Sequence, residues 1–262
     1  MIIPFDFECS RQIIFGPGSL KRLSGLAHEY GHQVAVITGS RWIYSTPYID
    51  DLKTSLSDFN SNFFPCAEGE PTLDSIREML PRIKSKQPSL IVAIGGGSVL
   101  DTAKAVSALI REEEDPADYL EGIGKGKVIS GKGTPWIAIP TTSGTGSEAT
   151  KNAVIRSIEH GVKKSLRSSF LLPTHVIIDP ELTQGLSLRI TGMTGMDALV
   201  QLFEAYVSTK RKPLPCALIH DAFPVMLSSL KQLVHEPDNL DARTGASYGA
   251  FISGVSLANS GL

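Results

Sequence analysis

The chain has 262 residues, 42% hydrophobic and 20% charged, with a formal net charge of −2. That is an ordinary globular balance, long enough for one large or two modest domains. Lys-Gly-Lys at 125–127 and Lys-Arg-Lys at 210–212 are too short to make a basic face, which argues against nucleic acid as a partner. No uninterrupted apolar run approaches the length of a membrane span, and the N-terminus lacks the basic and apolar regions of a signal peptide, so no membrane segment is expected. Cys9, Cys66 and Cys216 are odd in number and far apart, which reads as reduced thiols in a cytoplasmic protein.

In chain order, Ile13-Ile14-Phe15 before Gly16-Pro17-Gly18 predicts a strand closed by a turn. Ser19 is expected to cap a helix that buries Leu20, Leu23 and Leu26. Ile3 to Ile14 is a candidate edge region for pairing in a homodimer. The string His28-Glu29-Tyr30-Gly31-His32 matches the spacing of zinc proteases. Gly31 sits where a helix should end, however, and Gln33 to Thr38 reads as a strand, so the two imidazoles are not expected to share a helix face. The turn Gly39-Ser40-Arg41 after that strand carries no acid. In a dinucleotide domain Gly39, Ser40 and Arg41 could accept a 2′-phosphate, which mildly favours NADP over NAD; an ordinary surface turn is the alternative.

Tyr48 to Leu56 predicts a helix, Asn62 to Cys66 a short strand, and Thr72 opens a helix with Ile76, Leu80 and Ile83 inward. Leu90 to Ile94 reads as a buried parallel strand. It runs into Gly95-Gly96-Gly97, with Ser98 as the expected cap of a helix carrying Val99, Ala103 and Val106, and Asp101 and Lys104 between them. Bare N–H groups at a helix start attract anions, and three consecutive glycines suggest a phosphate held close; a tight turn without a ligand is the alternative. Residues 111–134 read as surface loop and short helix, and Trp136 to Pro140 as another strand. The loop Thr141 to Thr150 that follows is dense in hydroxyls suited to phosphate, ribose or a nicotinamide amide. Val176 to Ile178 reads as the last strand. Beyond about 185 the spacing becomes helical, over Ala198–Tyr206, Leu214–Leu233 and Arg243–Leu257. Strands alternating with helices predict a parallel α/β sheet over 1–185, followed by a helical domain over 186–262.

Four motifs occur in one order: Gly95-Gly96-Gly97-Ser98 with Asp101 and Lys104, Pro140 to Glu148, Asp179-Pro180-Glu181, and Gly195-Met196-Asp197-Ala198-Leu199. Together they resemble the iron-containing (group III) alcohol dehydrogenases of the dehydroquinate synthase-like fold. The resemblance implies an N-terminal dinucleotide-binding domain, a helical C-terminal domain, and a divalent metal between them, Fe²⁺ foremost and Zn²⁺ second. It implies hydride transfer between NAD or NADP and a primary alcohol or aldehyde. Gly96, Gly97 and Ser98 would hold the pyrophosphate, with Asp101, Thr141, Thr142 and Thr145 further along the cofactor. Lys163 resembles the basic residue near the nicotinamide. Of the family's metal ligands, one Asp and three His, Asp197 matches the Asp, but Gln201 stands at the first His position. Asp197 alone also reads as a charge at a helix N-terminus. The last two family His fall beyond Leu262, so the helical domain is expected to be incomplete, with an apolar face uncovered. Weak metal binding and weak turnover follow. A non-catalytic nucleotide-binding remnant and a dehydroquinate synthase-like lyase are the alternatives.

Overall fold

The computed structural model describes residues 4–260. Six parallel strands form one sheet: β1 (Gln12–Phe15), β2 (Gln33–Thr38), β3 (Asn60–Pro65), β4 (Leu90–Gly95), β5 (Trp136–Pro140) and β8 (His175–Ile178). Their order is β1-β8-β5-β4-β2-β3. The strands alternate which sheet face each residue joins. Val34, Val36, Leu90, Val92 and Ile94 pack with α1 (Leu23–Ala27) and α2 (Tyr48–Ser55), while Ala35, Ile37, Ile91 and Ala93 pack with α3 (Leu73–Lys84) and α4 (Gly97–Leu109). Both faces are covered, which is why these strands read as continuous apolar runs. A separate antiparallel hairpin, β6 (Asn152–Ser157) and β7 (Val162–Arg167), packs its buried Ala153, Ile155 and Leu166 into the α3–α4 core.

Three long helices follow the last strand: α5 (Leu188–Val207), α6 (Pro213–His235) and α7 (Leu240–Ser260). α5 begins ten residues before the predicted Ala198. Gly192 and Gly195 sit inside it, and the Ser187 hydroxyl caps it by accepting from the Ile190 N–H. Gly195 faces the Leu230 side chain of α6, where helix contact overrides glycine's poor helical propensity. Asp197 therefore lies mid-helix, and its reading as an N-terminal dipole partner fails. The exposed side of α5 carries Met193, Met196, Val200, Phe203 and Val207. By length and composition alone α6 is apolar enough to cross a membrane, a test that core helices of globular proteins also pass. Ile219, Ala222, Met226 and Leu233 are nonetheless buried within the protein.

Two expected caps are absent. Ser19 opens a 3-10 turn instead of capping it, and its hydroxyl donates to the Ile178 carbonyl. Ser98 lies inside the first turn of α4, whose cap position is Gly96 and has no side-chain oxygen. Thr72 does cap α3, in a reciprocal pair with Ser75. α1 stops at Ala27 and Gly31 adopts φ 102°, so His28 and His32 do not share a helix. Both rings rest on Phe59. Strand β1 starts only at Gln12; residues 4–11 form no strand, and Ile3 lies outside the described residues.

Candidate nucleotide-binding cleft

Chain order places the site. From β2 the chain steps outward to β3, then crosses back to β4 on the other side of β2. The loops leaving β2 and β4 therefore diverge, and a crevice opens at the carboxyl ends of these strands, where open α/β sheets hold their ligands. A cleft of about 800 Å³ occupies this place. One end is walled by Gly39 to Trp42 after β2 and Glu68 to Pro71 after β3. Gly96 to Val99 and Asp101 form its floor, and Thr142, Thr145, Ser147 and Thr150 follow from the loop after β5. Asn152 and Val154 of β6, Thr194 and Gln201 of α5, and Leu257 of α7 close the far end.

Of the residues singled out from sequence, Gly39, Ser40, Gly96, Gly97, Ser98, Asp101, Thr142, Thr145 and Gln201 meet in this cleft. Thr141 does not line it; it is buried and donates its N–H to the Gly95 carbonyl. Lys163 does not line it either. It shares a hairpin face with Arg156 and Val154, and its ammonium pairs with Glu70 at the rim, 2.5 Å away. Asp197 is exposed and also outside the lining.

The glycine turn has a packing role beside the ligand role that the sequence suggests. None of Gly95, Gly96 and Gly97 has positive φ. A Cβ on Gly95 would sit 2.6 Å from Val99 Cγ2, and one on Gly97 would sit 2.8 Å from Thr145 Oγ1. Two of the three glycines are thus required by the protein's own packing. What remains for a ligand is the α4 N-terminus, whose first N–H groups have no intrahelical acceptor.

Beneath the cleft lies a buried polar network. Sequence places Lys104 as a polar residue between apolar ones; the structure buries it completely. Its ammonium donates to Thr150 Oγ1 at 2.7 Å and to the Asn152 carbonyl at 2.8 Å, and lies 3.5 Å from Asp101 Oδ1. Asp101 accepts from the Ser147 hydroxyl at 2.5 Å and from the Val154 N–H at 3.0 Å. One turn of α4 thus ties the hydroxyl loop and β6 to the helix that floors the cleft. Burial pulls the Lys104 ammonium pKa down, against the charges of Asp101 and Glu148. Glu148, also buried, is pushed up to about 7 by its burial.

A divalent metal does not fit the donors present. Among the described residues no three His, Cys, Asp or Glu side chains gather. Gln201 Oε1 already accepts from the Ser253 hydroxyl at 3.2 Å. One exposed carboxylate and one neutral amide fall short of the three or four donors that Fe²⁺ or Zn²⁺ take. After dialysis against a chelator this chain is expected to retain well under one equivalent of either ion. Gln201→His, which adds an imidazole one helical turn from Asp197, should raise Zn²⁺ affinity about tenfold in a competition titration with a chromophoric chelator. Equal affinities would mean that the 197/201 pair does not act as a ligand pair.

Sequence reading missed Glu68 and Glu70, together with Thr194 and Leu257. Their positions after β3 and on helices from the other end of the chain emerge only from topology.

A parallel sheet with a cleft at its switch point and a helix N-terminus on the cleft floor is the arrangement in which open α/β folds hold phosphate-bearing ligands. Residues 10–180 match the family model for iron-containing alcohol dehydrogenase, and residues 191–262 match its C-terminal counterpart. The chain belongs to the iron-containing alcohol dehydrogenase family. It is 36% identical over 193 residues to sulfoacetaldehyde reductase of Bilophila wadsworthia, covering 74% of this chain and 49% of that protein. To long-chain-alcohol dehydrogenase 1 of Geobacillus thermodenitrificans it is 35% identical, covering 96% of this chain and 65% of that one. The fold superimposes on sulfoacetaldehyde reductase from Bifidobacterium kashiwanohense, solved with NAD⁺, with a TM-score of 0.93, 28% identity, and coverage of 98% of this chain and 68% of that one. The chain thus spans between about half and two thirds of the length of these relatives.

Proposed function

We propose that this chain binds a nicotinamide dinucleotide in the cleft, as part of an oxidoreductase that moves a hydride between that cofactor and a small alcohol or aldehyde. The observation that carries the reading is the crevice between the β2 and β4 loops with the α4 N-terminus on its floor. The loop after the second strand of such a domain takes the adenosine ribose. Gly39, Ser40 and Trp42 would therefore face the adenosine, and Gly97 and Ser98 the pyrophosphate. Thr145, Ser147, Thr150 and Val154 would then line the nicotinamide end. The cofactor itself supplies the hydride; these residues orient it and exclude water. Membership of the family and the relative solved with NAD⁺ support this assignment.

The choice between NAD and NADP turns on Glu68. Arg41, the candidate partner of a 2′-phosphate, has its Nε 2.6 Å from Glu68 Oε1. A carboxylate at that rim accepts a ribose hydroxyl and repels a phosphate. The exposed pair itself contributes at most about 1 kcal/mol, so it does not prevent the side chains from rearranging. Quenching of Trp42 fluorescence is expected to show saturable NADH binding, with NADPH about tenfold weaker, and Glu68→Gln should narrow that gap. No saturable NADH binding would sink the nucleotide reading; equal binding of NADPH would sink only the preference.

A non-catalytic nucleotide-binding chain is the second reading, favoured by Gln201 and by the missing donor cluster. Aldehyde-dependent oxidation of NADH with and without Fe²⁺ separates the two. The lyase alternative finds no counterpart among these relatives, which are named as reductases and dehydrogenases.

A further inference from the structure

A second pocket, of about 730 Å³, adjoins the cleft along the β6–β7 hairpin. Asn152, Val154 and Leu257 line both, so the two spaces share a wall. That wall is the end of the cleft where the nicotinamide reading places the reacting carbon. The second pocket differs chemically from the first. Lys151, Arg167 and Lys210 line it, no carboxylate among the described residues does, and the hydroxyl residues Ser165, Ser168 and Ser169 lie among the cations.

Register explains the clustering. Arg167 pairs across the hairpin with Asn152, and Ser165 with Val154, so both belong to the face that carries the shared wall. The acids that balance these cations stand outside the lining. Lys151 meets Glu8 at 2.8 Å, and Arg167 meets Glu121 at 2.9 Å. Glu8 is held below the usual carboxylate range, first by its hydrogen bond from Lys151, so it stays ionised. Lys210 has no acidic partner among the described residues. Partly paired cations with donors still open to a pocket bind an oxyanion through charge-assisted hydrogen bonds, which salt screens where the cations are as exposed as Arg167 and Lys210.

We propose that this pocket is a subsite for an anionic group on the substrate, so that the preferred alcohol or aldehyde is a short one bearing a carboxylate or sulfonate at its other end. The proposal rests on the nucleotide reading for which end of the cleft is reactive. The Lys151, Arg167 and Lys210 side chains hold the anion, and the shared wall at Val154 and Leu257 directs the other end of the molecule toward the cleft.

The test is calorimetry on the full 262-residue chain, with and without NAD⁺, using 3-hydroxypropanoate, 2-hydroxyethanesulfonate and propan-1-ol as probes. Both anions are expected to bind about tenfold tighter than propan-1-ol and to weaken as salt is raised. Arg167→Met and Lys210→Met, both at the surface, should each lower anion affinity severalfold while leaving NADH and propan-1-ol binding unchanged. A sulfonate preference over carboxylate, or the reverse, identifies the oxyanion. Equal binding of all three probes, or anion binding indifferent to both variants, would overturn the subsite. Absent NADH binding with the anion preference intact would overturn the nucleotide reading and leave an anion site that does not serve it, so the two failures are distinguishable.

Discussion

Gly254→Ala is expected to destabilise the protein by about 3 kcal/mol and to weaken NADH binding in the same variant. α7 meets the hydroxyl loop backbone to backbone at this point. A Cβ on Gly254 would lie 2.1 Å from the Gly146 carbonyl oxygen and 2.8 Å from Gly146 Cα. Seen from the other side, a Cβ on Gly146 would lie 2.5 Å from Gly254 Cα, and Gly146 has φ +59° besides. A flexible side chain can swing away from an added methyl; a carbonyl in a loop pinned at both ends cannot. Either the helix withdraws or the loop does. The loop carries Thr145 and Ser147, which line the cleft, so stability and affinity should fall together. Urea unfolding would show a lower midpoint at unchanged slope. Gly25→Ala, in α1 with nothing within 4 Å of the added carbon, is the control and should change little. A Gly254→Ala protein with the wild-type midpoint would mean that the seam is looser than its geometry indicates.

The parts of this fold legible in sequence are those governed by local rules. The strand at Leu90, the helix opened by Thr72, the Gly31 stop that disqualifies the His-Glu-Tyr-Gly-His string, and the change to helical spacing all follow from periodicity and backbone chemistry within a few residues. Misreadings arose where a distant part of the chain decides. The packing share of the three glycines was hidden, because Gly97 meets Thr145, 48 positions away. Ser19 looked like a cap, yet its hydroxyl bonds the end of β8. Lys104 read only as a polar residue set between apolar ones, because nothing near it in sequence shows that Thr150 and Asn152 fold over it. The same holds for the cleft. Its glycine and hydroxyl loops are visible as motifs, while Glu68, Thr194 and Leu257 join it only through topology. Gln201 shows the limit in the other direction: the sequence marks it as a departure from the family pattern, and the structure places it in the cleft wall, bonded to Ser253.

Lys104→Met should cost about 3–5 kcal/mol, the usual consequence of removing one member of a buried charged group. Methionine fills similar space, so the loss is electrostatic and not a cavity. The Asn152 carbonyl loses its ammonium donor, and Asp101 keeps Ser147 and Val154 but loses the nearby positive charge. Glu148 reports on this network through pH. Its folded pKa of about 7 lies above the ordinary 4.5, raised by burial and held back by Lys104. Between those values the folded state binds a proton that the unfolded chain has released. Stability from this residue is therefore full below about pH 4.5, falls as pH rises, and levels off above about 7. At roughly 1.4 kcal/mol per pH unit, the change is on the order of 3 kcal/mol. His175 acts oppositely: burial lowers its pKa from 6.5, so its contribution falls as pH drops through that value. The wild-type curve sums both, and only its difference from Glu148→Gln isolates the carboxylate. Glu148→Gln is expected to remove the falling component and to be more stable than wild type above pH 7. In Lys104→Met the missing charge should raise the Glu148 pKa further and extend the fall to higher pH. If the difference curve between wild type and Glu148→Gln were flat from pH 4 to 8, Glu148 would be ionised at no cost in the folded protein. The network beneath the cleft would then be hydrated, and Lys104 would have no need of the partners that the fold provides.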